Sequence, residues 1–181
     1  QAETARRSQG DFKIDPETCI SLQMEALQYY HRRISFLEMG EYERAQQDAS
    51  RNLELFDFVK QYAAEEEDSL AMEQHRPFVI GHRVRAAVLQ NLEEEDYDRA
   101  LKEIEEGLEE IRTFYGEFDR PDMMDENDEI AFLQEWAKEI RKDRPRSLLQ
   151  DLKEQLKEAV TREDFERAAE IRDRLRTLSK N

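Results

Sequence analysis

Gly40-Glu41-Tyr42-Glu43-Arg44-Ala45 returns as Glu95-Asp96-Tyr97-Asp98-Arg99-Ala100 and again as Glu163-Asp164-Phe165-Glu166-Arg167-Ala168. After its first residue each copy reads acid, aromatic, acid, Arg, Ala, and each lies between two stretches with helical periodicity. The pattern is that of a corner in a helical hairpin. Gly40 supplies the left-handed residue that ends a helix, and Glu95 and Glu163 stand in the same place. The acid that follows sits beside the unpaired N–H groups and the positive dipole end of the next helix. The aromatic falls on the first turn, where it can fold back on the preceding helix. The alanine three residues later shares that face and lets two backbones approach. Any helical hairpin can have such a corner, but three copies keeping the Arg-Ala pair mark a repeated design.

Working outward, Asp15-Pro16-Glu17 opens a first helix to about Met39, with Leu22, Ala26, Leu27, Tyr30, Ile34 and Leu37 at three-to-four spacing. A second helix runs from about Tyr42 to Ala64. Glu65–Asp68 reads as a solvated connection, and Pro77 as a break or kink in the periodicity that resumes at Leu70. A third helix spans Phe78–Leu92 and a fourth begins at Tyr97. The fourth contains Gly107, a poor helix former for which close packing on a neighbour is a reason. Gly116–Asp128 reads as an acidic loop. Ile130, Leu133, Trp136, Ala137 and Ile140 mark a fifth helix that caps the hydrophobic end of the stack. Ser147 with Gln150 forms a capping box for the tail. The fold class is therefore all-α: stacked antiparallel helix pairs with a C-terminal helical hairpin. The expected organisation is a disordered or tag-derived leader over 1–14, a helical-repeat-like body over 15–145 and a hairpin over 146–181.

Charged residues make up 40% of the chain and hydrophobic ones 38%, with 5 Gly and 4 Pro, which suits long amphipathic helices with short connections. The net charge is −16, and it is uneven. Residues 146–181 hold nine basic and eight acidic side chains; the first 145 hold 19 basic against 36 acidic. An acidic body repels phosphate backbones, so no direct nucleic-acid binding is expected and a basic protein partner suits it better. Cys19 is the one cysteine, which excludes an internal disulfide and points to a reducing compartment. No apolar run approaches the roughly 20 residues of a membrane span, so no membrane association is expected. The opening Gln1 is read as the start of a fragment or processed chain, whose missing N-terminal part could hold further function.

The first two corners resemble those of tetratricopeptide repeats, through Gly40-x-Tyr42-x-x-Ala45 and Glu95-x-Tyr97-x-x-Ala100 and the small residues after them, Ala49 and Gly107. The resemblance covers roughly 26–59 and 81–115. The corners lie 55 residues apart, against a family period of about 34, so longer helices or an inserted linker are required. A generic helical bundle is the alternative. The resemblance implies a concave groove lined by the first helix of each pair, with Tyr30, Ile34, His82, Arg85 and Leu89 as candidates to accept an apolar peptide carrying an acidic group. The plainer reading makes them ordinary core and surface residues.

The tail carries a more specific likeness. Leu152-x-x-x-Leu156-x-x-Ala159, then Asp164-Phe165-Glu166-Arg167-Ala168-Ala169-Glu170-Ile171-Arg172-Asp173, then Leu175 and Leu178, resembles the UVR motif. That motif closes UvrB, occurs in UvrC, and appears in regulators and ATPase partners of bacterial Clp proteolysis. Glu163 departs from the DNA-repair versions, which often carry an apolar residue there, and leaves the branch open. The resemblance implies a bacterial, cytoplasmic protein whose hairpin binds other proteins, often another such hairpin, with a homodimer as one form. Its interaction surface would be Leu156, Ala159, Phe165, Glu166, Ala168, Ala169, Arg172 and Asp173. The alternative for Phe165 is that it fills the hairpin's own core.

Catalytic patterns are not found. There is no glycine-rich phosphate loop and no nucleophile paired with a base, and His31, His75 and His82 form no ligand set. Asp119, Asp122, Asp125, Asn127 and Asp128 lack the glycine and spacing of a calcium loop. No enzyme activity, metal or cofactor is expected. The leading expectation is a non-enzymatic interaction scaffold or adaptor. The alternatives are an accessory factor of bacterial nucleotide excision repair and a regulator of a Clp-type protease or kinase system.

Overall fold

A computed structural model describes residues 12–118, 124, 127–145 and 148–178. Among them the protein is all-α: α1 (Pro16–Glu38), α2 (Tyr42–Tyr62), α3 (Glu66–Glu73), α4 (Arg76–Glu93), α5 (Tyr97–Glu117), α6 (Asp128–Asp143), α7 (Leu148–Thr161) and α8 (Phe165–Leu178). The chain divides into two compact units, Gln1–Lys142 and Asp143–Asn181.

The three repeated stretches close in the same way. Gly40, Glu95 and Glu163 have φ of 74°, 58° and 57°. In each corner the residue after the left-handed one donates its N–H five residues back: Glu41 to Phe36 (2.9 Å), Asp96 to Asn91 (2.8 Å) and Asp164 to Ala159 (2.9 Å). The left-handed residue donates three back, to Leu37, Leu92 and Val160. This pair of bonds satisfies carbonyls that a helix end leaves open. The next helix then starts at once. Asp96 accepts from the Arg99 N–H (3.0 Å) and Asp164 from the Arg167 N–H (3.2 Å), whereas the longer Glu41 makes no side-chain cap. Ala45, Ala100 and Ala168 are all buried, as their place on the inner face requires.

In the first unit α1 packs on α2, α2 on α4 and α4 on α5, and α3 lies against α1 and α2. The expected connection at Glu65–Asp68 is instead the start of α3, whose first turn holds Glu66, Glu67 and Asp68 at the positive dipole end. Pro77 does not interrupt a helix; it sits in the first turn of α4, where its missing N–H costs nothing. Thus α3 occupies the extra length between the first two corners. It delivers Glu73 to a buried position, where Arg76 donates to it through Nη2 (2.6 Å) and Nε (3.0 Å) while also reaching Asp57 (2.6 Å).

α5 runs to Glu117, two residues into the stretch read as a loop, and Asn127 caps α6 by accepting from the Ile130 N–H (3.0 Å). Ile130, Leu133, Ala137 and Ile140 of α6 join the main core, and Trp136 is partly buried on it. Residues 1–11 of the expected polar leader, Asp119, Asp122 and Asp125 of the acidic loop, and Ser147 lie outside the described residues. The end of that leader is part of the fold. Ile14 is buried and bridges to Ala63, donating to Tyr62 (2.8 Å) and accepting from Ala64 (3.0 Å). Its apolar side chain has a place beside the end of α2, so the body starts before residue 15. Among the described residues no helix is long and apolar enough to cross a membrane.

Gly107 is a point of close approach between α4 and α5: a methyl group added there would run into the Val84 side chain. Gly107→Ala should therefore destabilise by about 1–3 kcal/mol through overpacking, although alanine is the better helix former by about 1 kcal/mol. Urea unfolding would show a lower midpoint. Conversely, Glu95→Gly removes a side chain from a left-handed position and should raise stability by roughly 1 kcal/mol, read as an upward shift of the thermal midpoint.

Candidate functional site

The second unit is a two-helix hairpin. The apolar positions of α7 and α8 meet in a small core of Leu152, Ala159, Ala168 and Ile171, flanked by the partly buried Leu156 and Leu175. Small residues at the corner end let the helices come together, and leucine and isoleucine fill the wider part. The Asp164 cap and left-handed Glu163 fix the angle between them. The resulting core is far smaller than a lone domain of about 40 residues or more would need. On the outside, Phe165 is 67% exposed and Val160 is 52% exposed, and both belong to the corner. The equivalent aromatics of the body, Tyr42 and Tyr97, are half-buried.

Residues 146–181 match the UvrB/uvrC motif. No curated protein and no solved structure matches the chain.

The UVR hairpin sorts the expected interaction residues into two groups. Ala159 and Ala168 are buried in its own core, and Leu156 is half-buried beside them, so they hold the two helices together. Phe165, Glu166, Arg172 and Asp173 are exposed and Ala169 is half-buried. Phe165 does not fill the hairpin core, because the left-handed corner directs the first residue of α8 outward while Ala168 turns inward. Val160 is an exposed apolar neighbour that the sequence reading did not single out. Its signal was its place next to Ala159, one step off the inner stripe. Arg172 donates through Nε and Nη2 to Asp173 (3.3 Å each), a surface pair of little energetic weight.

The candidate groove residues of the body are arranged differently from a single lining. Tyr30 and His82 approach across α1 and α4, with ring centroids 6.3 Å apart, and Phe78 sits beside both. Arg85 turns to α6, its guanidinium 4.4 Å from the Phe132 ring centre. Ile34 and Leu89 are half-buried, whereas His82 is buried. Among the described residues no cluster of three or more His, Cys, Asp or Glu is arranged to hold a metal.

Burial, then the charges of Arg33 and Arg85, push the His82 imidazole down to about 4. The unfolded chain takes up that proton near pH 6.5, so stability present above 6.5 is lost as pH falls toward 4. The His82 share of this loss is on the order of 3 kcal/mol. A His82→Gln variant should show a flatter stability profile over that window in denaturant titrations at stepped pH; parallel profiles would remove His82 as the cause.

Proposed function

We propose that this protein is a non-enzymatic adaptor whose C-terminal UVR hairpin docks on another protein. The exposed Phe165, at a corner whose two counterparts in the body keep their aromatics half-buried, carries the reading. Burying one such ring contributes about 1.5–3 kcal/mol, and Val160, at the end of α7, adds a second exposed apolar side chain at the same corner. A hairpin of this size also gains most from a partner, since it has little core of its own. The absence of a phosphate loop or a nucleophile–base pair in the sequence supports a binding role rather than catalysis. The acidic body disfavours direct contact with nucleic acid. The bacterial cytoplasm is the setting the motif implies, and a second UVR hairpin, on another chain or on a second copy, is the partner that best suits its shape.

The test uses the full chain and two variants, one ending before residue 146 and one carrying Phe165→Ala. Light scattering coupled to size exclusion reads self-association, and affinity capture reads foreign partners. Both variants should lose association, with Phe165→Ala weakening it at least about tenfold while the helical circular dichroism signal stays unchanged. Unaltered association in both variants would remove the hairpin from the interface.

A further inference from the structure

α1, α2, α3 and α4 enclose a cavity of about 430 Å³ in the body, a size within the range of about 300–1,000 Å³ common for small-ligand sites. Its walls are mostly apolar, with Met24 and Leu27 from α1, Phe56 from α2, Met72 from α3, Phe78 and Val79 from α4, and Gln23, Tyr30 and His75 line it too. Met24, Leu27 and Phe78 are exposed and mark its open side, while Phe56, Met72 and Val79 are buried. Two methionines give such walls an adaptable shape.

One charged side chain lines this cavity from inside the fold. Arg33 is fully buried, and its Nε, Nη1 and Nη2 have no hydrogen-bond partner among the described residues. The carboxylate whose charge reaches Arg33, that of Asp48, is already taken. Asp48 is held by the neighbouring Arg32, through Nε to Oδ2 (2.7 Å) and Nη2 to Oδ1 (2.5 Å). The Tyr30 ring lies 5.6 Å from the Arg33 guanidinium carbon, a contact that leaves the N–H donors unused. Asn52 also lines the cavity; its Nδ2 donates to the Ala26 carbonyl (3.1 Å), and its Oδ1 is without a partner. Burial lowers the Arg33 guanidinium to about 10, so it is still a cation at neutral pH. A buried charge without a partner is costly, and an anion with fork-matching geometry offsets that cost.

We infer that the cavity binds a small amphiphile, a straight hydrocarbon chain ending in one carboxylate, with Arg33 gripping the carboxylate and the walls between Met24 and Phe78 holding the chain. A peptide fits less well, because each of its residues would bring an N–H and a C=O that need partners, and most of the lining is apolar, with Gln23, Tyr30, Arg33, Asn52 and His75 as the polar side chains. A phosphate monoester would bring close to two negative charges to one guanidinium, where a carboxylate brings one. The site belongs to the body and is independent of the adaptor reading of the hairpin.

The probes are sodium decanoate below its micelle concentration and the uncharged decanol, titrated calorimetrically into the full chain and into Arg33→Met. Decanoate should bind the wild type saturably at one site, with decanol at least about tenfold weaker. Arg33→Met should lose decanoate affinity by a similar factor, and decanoate should raise the thermal midpoint of the wild type but not of the variant. Equal affinity for decanoate and decanol, or undiminished decanoate binding by a folded Arg33→Met, would overturn the inference. Arg33-dependent binding of an acidic apolar peptide with no binding of decanoate would overturn it too, in favour of a peptide groove. Should Arg33→Met fail to fold, the decanoate and decanol comparison on the unaltered protein decides.

Discussion

The close approach of two helices over a single alanine is the constraint on which this structure depends. In all three corners the left-handed residue reverses the chain, an acid begins the next helix, and the alanine on the first turn is buried. A larger side chain at Ala45 or Ala100 would force the pair apart near its tip and shift every contact further along. The left-handed position is the weaker requirement. Glycine meets it once, and glutamate meets it twice at a cost of about 1–2 kcal/mol, offset by the two backbone bonds that close each helix.

From that constraint the two units part ways. In the body, successive pairs lie against one another, so the face left open by one pair is covered by the next, and α6 adds its apolar stripe to the same core. Polar groups tie the layers across their edges: Gln46 to Gln90 between α2 and α4, and Arg83 to Glu110 between α4 and α5. The hairpin repeats the corner with a core of a few side chains. The same local code that half-buries Tyr97 therefore leaves Phe165 in the open. This difference in surroundings, rather than any difference in motif, is what turns a structural corner into a candidate docking point.

Charge is distributed with similar economy in the body. Adjacent residues Arg32 and Arg33 meet opposite fates because they are 100° apart on α1. Arg32 reaches the buried Asp48 from the outside, while Arg33 lies on the inner stripe with Cys19 and Ala26. His82, facing both Arg33 and Arg85, is kept neutral by burial and by those two cations. Glu129 of α6 acts on Arg85, whereas the buried Arg33 has no hydrogen-bonded carboxylate among the described residues of a protein of net charge −16.

Several features were legible from residues alone because their causes are local. Helix periods, the Asp15 and Asp96 caps, the reversal at Gly40, Glu95 and Glu163, and the UVR pattern of the tail all depend on neighbours within a few positions. The tightness at Gly107 was also legible, since a glycine inside a helix asks for a reason. Other features depend on distant residues. The acidic run before Leu70 reads as a solvated connection, but its acids also suit the positive end of a helix, and packing of α3 on α1 and α2 selects the helix. Arg33 stands in phase with an apolar stripe, a signal present in the sequence, but only the packing of α1 to α4 leaves it without a carboxylate. Ala159 and Phe165 likewise share one motif, yet packing buries the first and exposes the second. The sequence determined where the chain turns and which faces are apolar, because these follow from backbone geometry and side-chain period. The tertiary structure decided which of those faces are covered and which charges are paired, because burial is a property of the neighbours a residue meets and not of the residue itself.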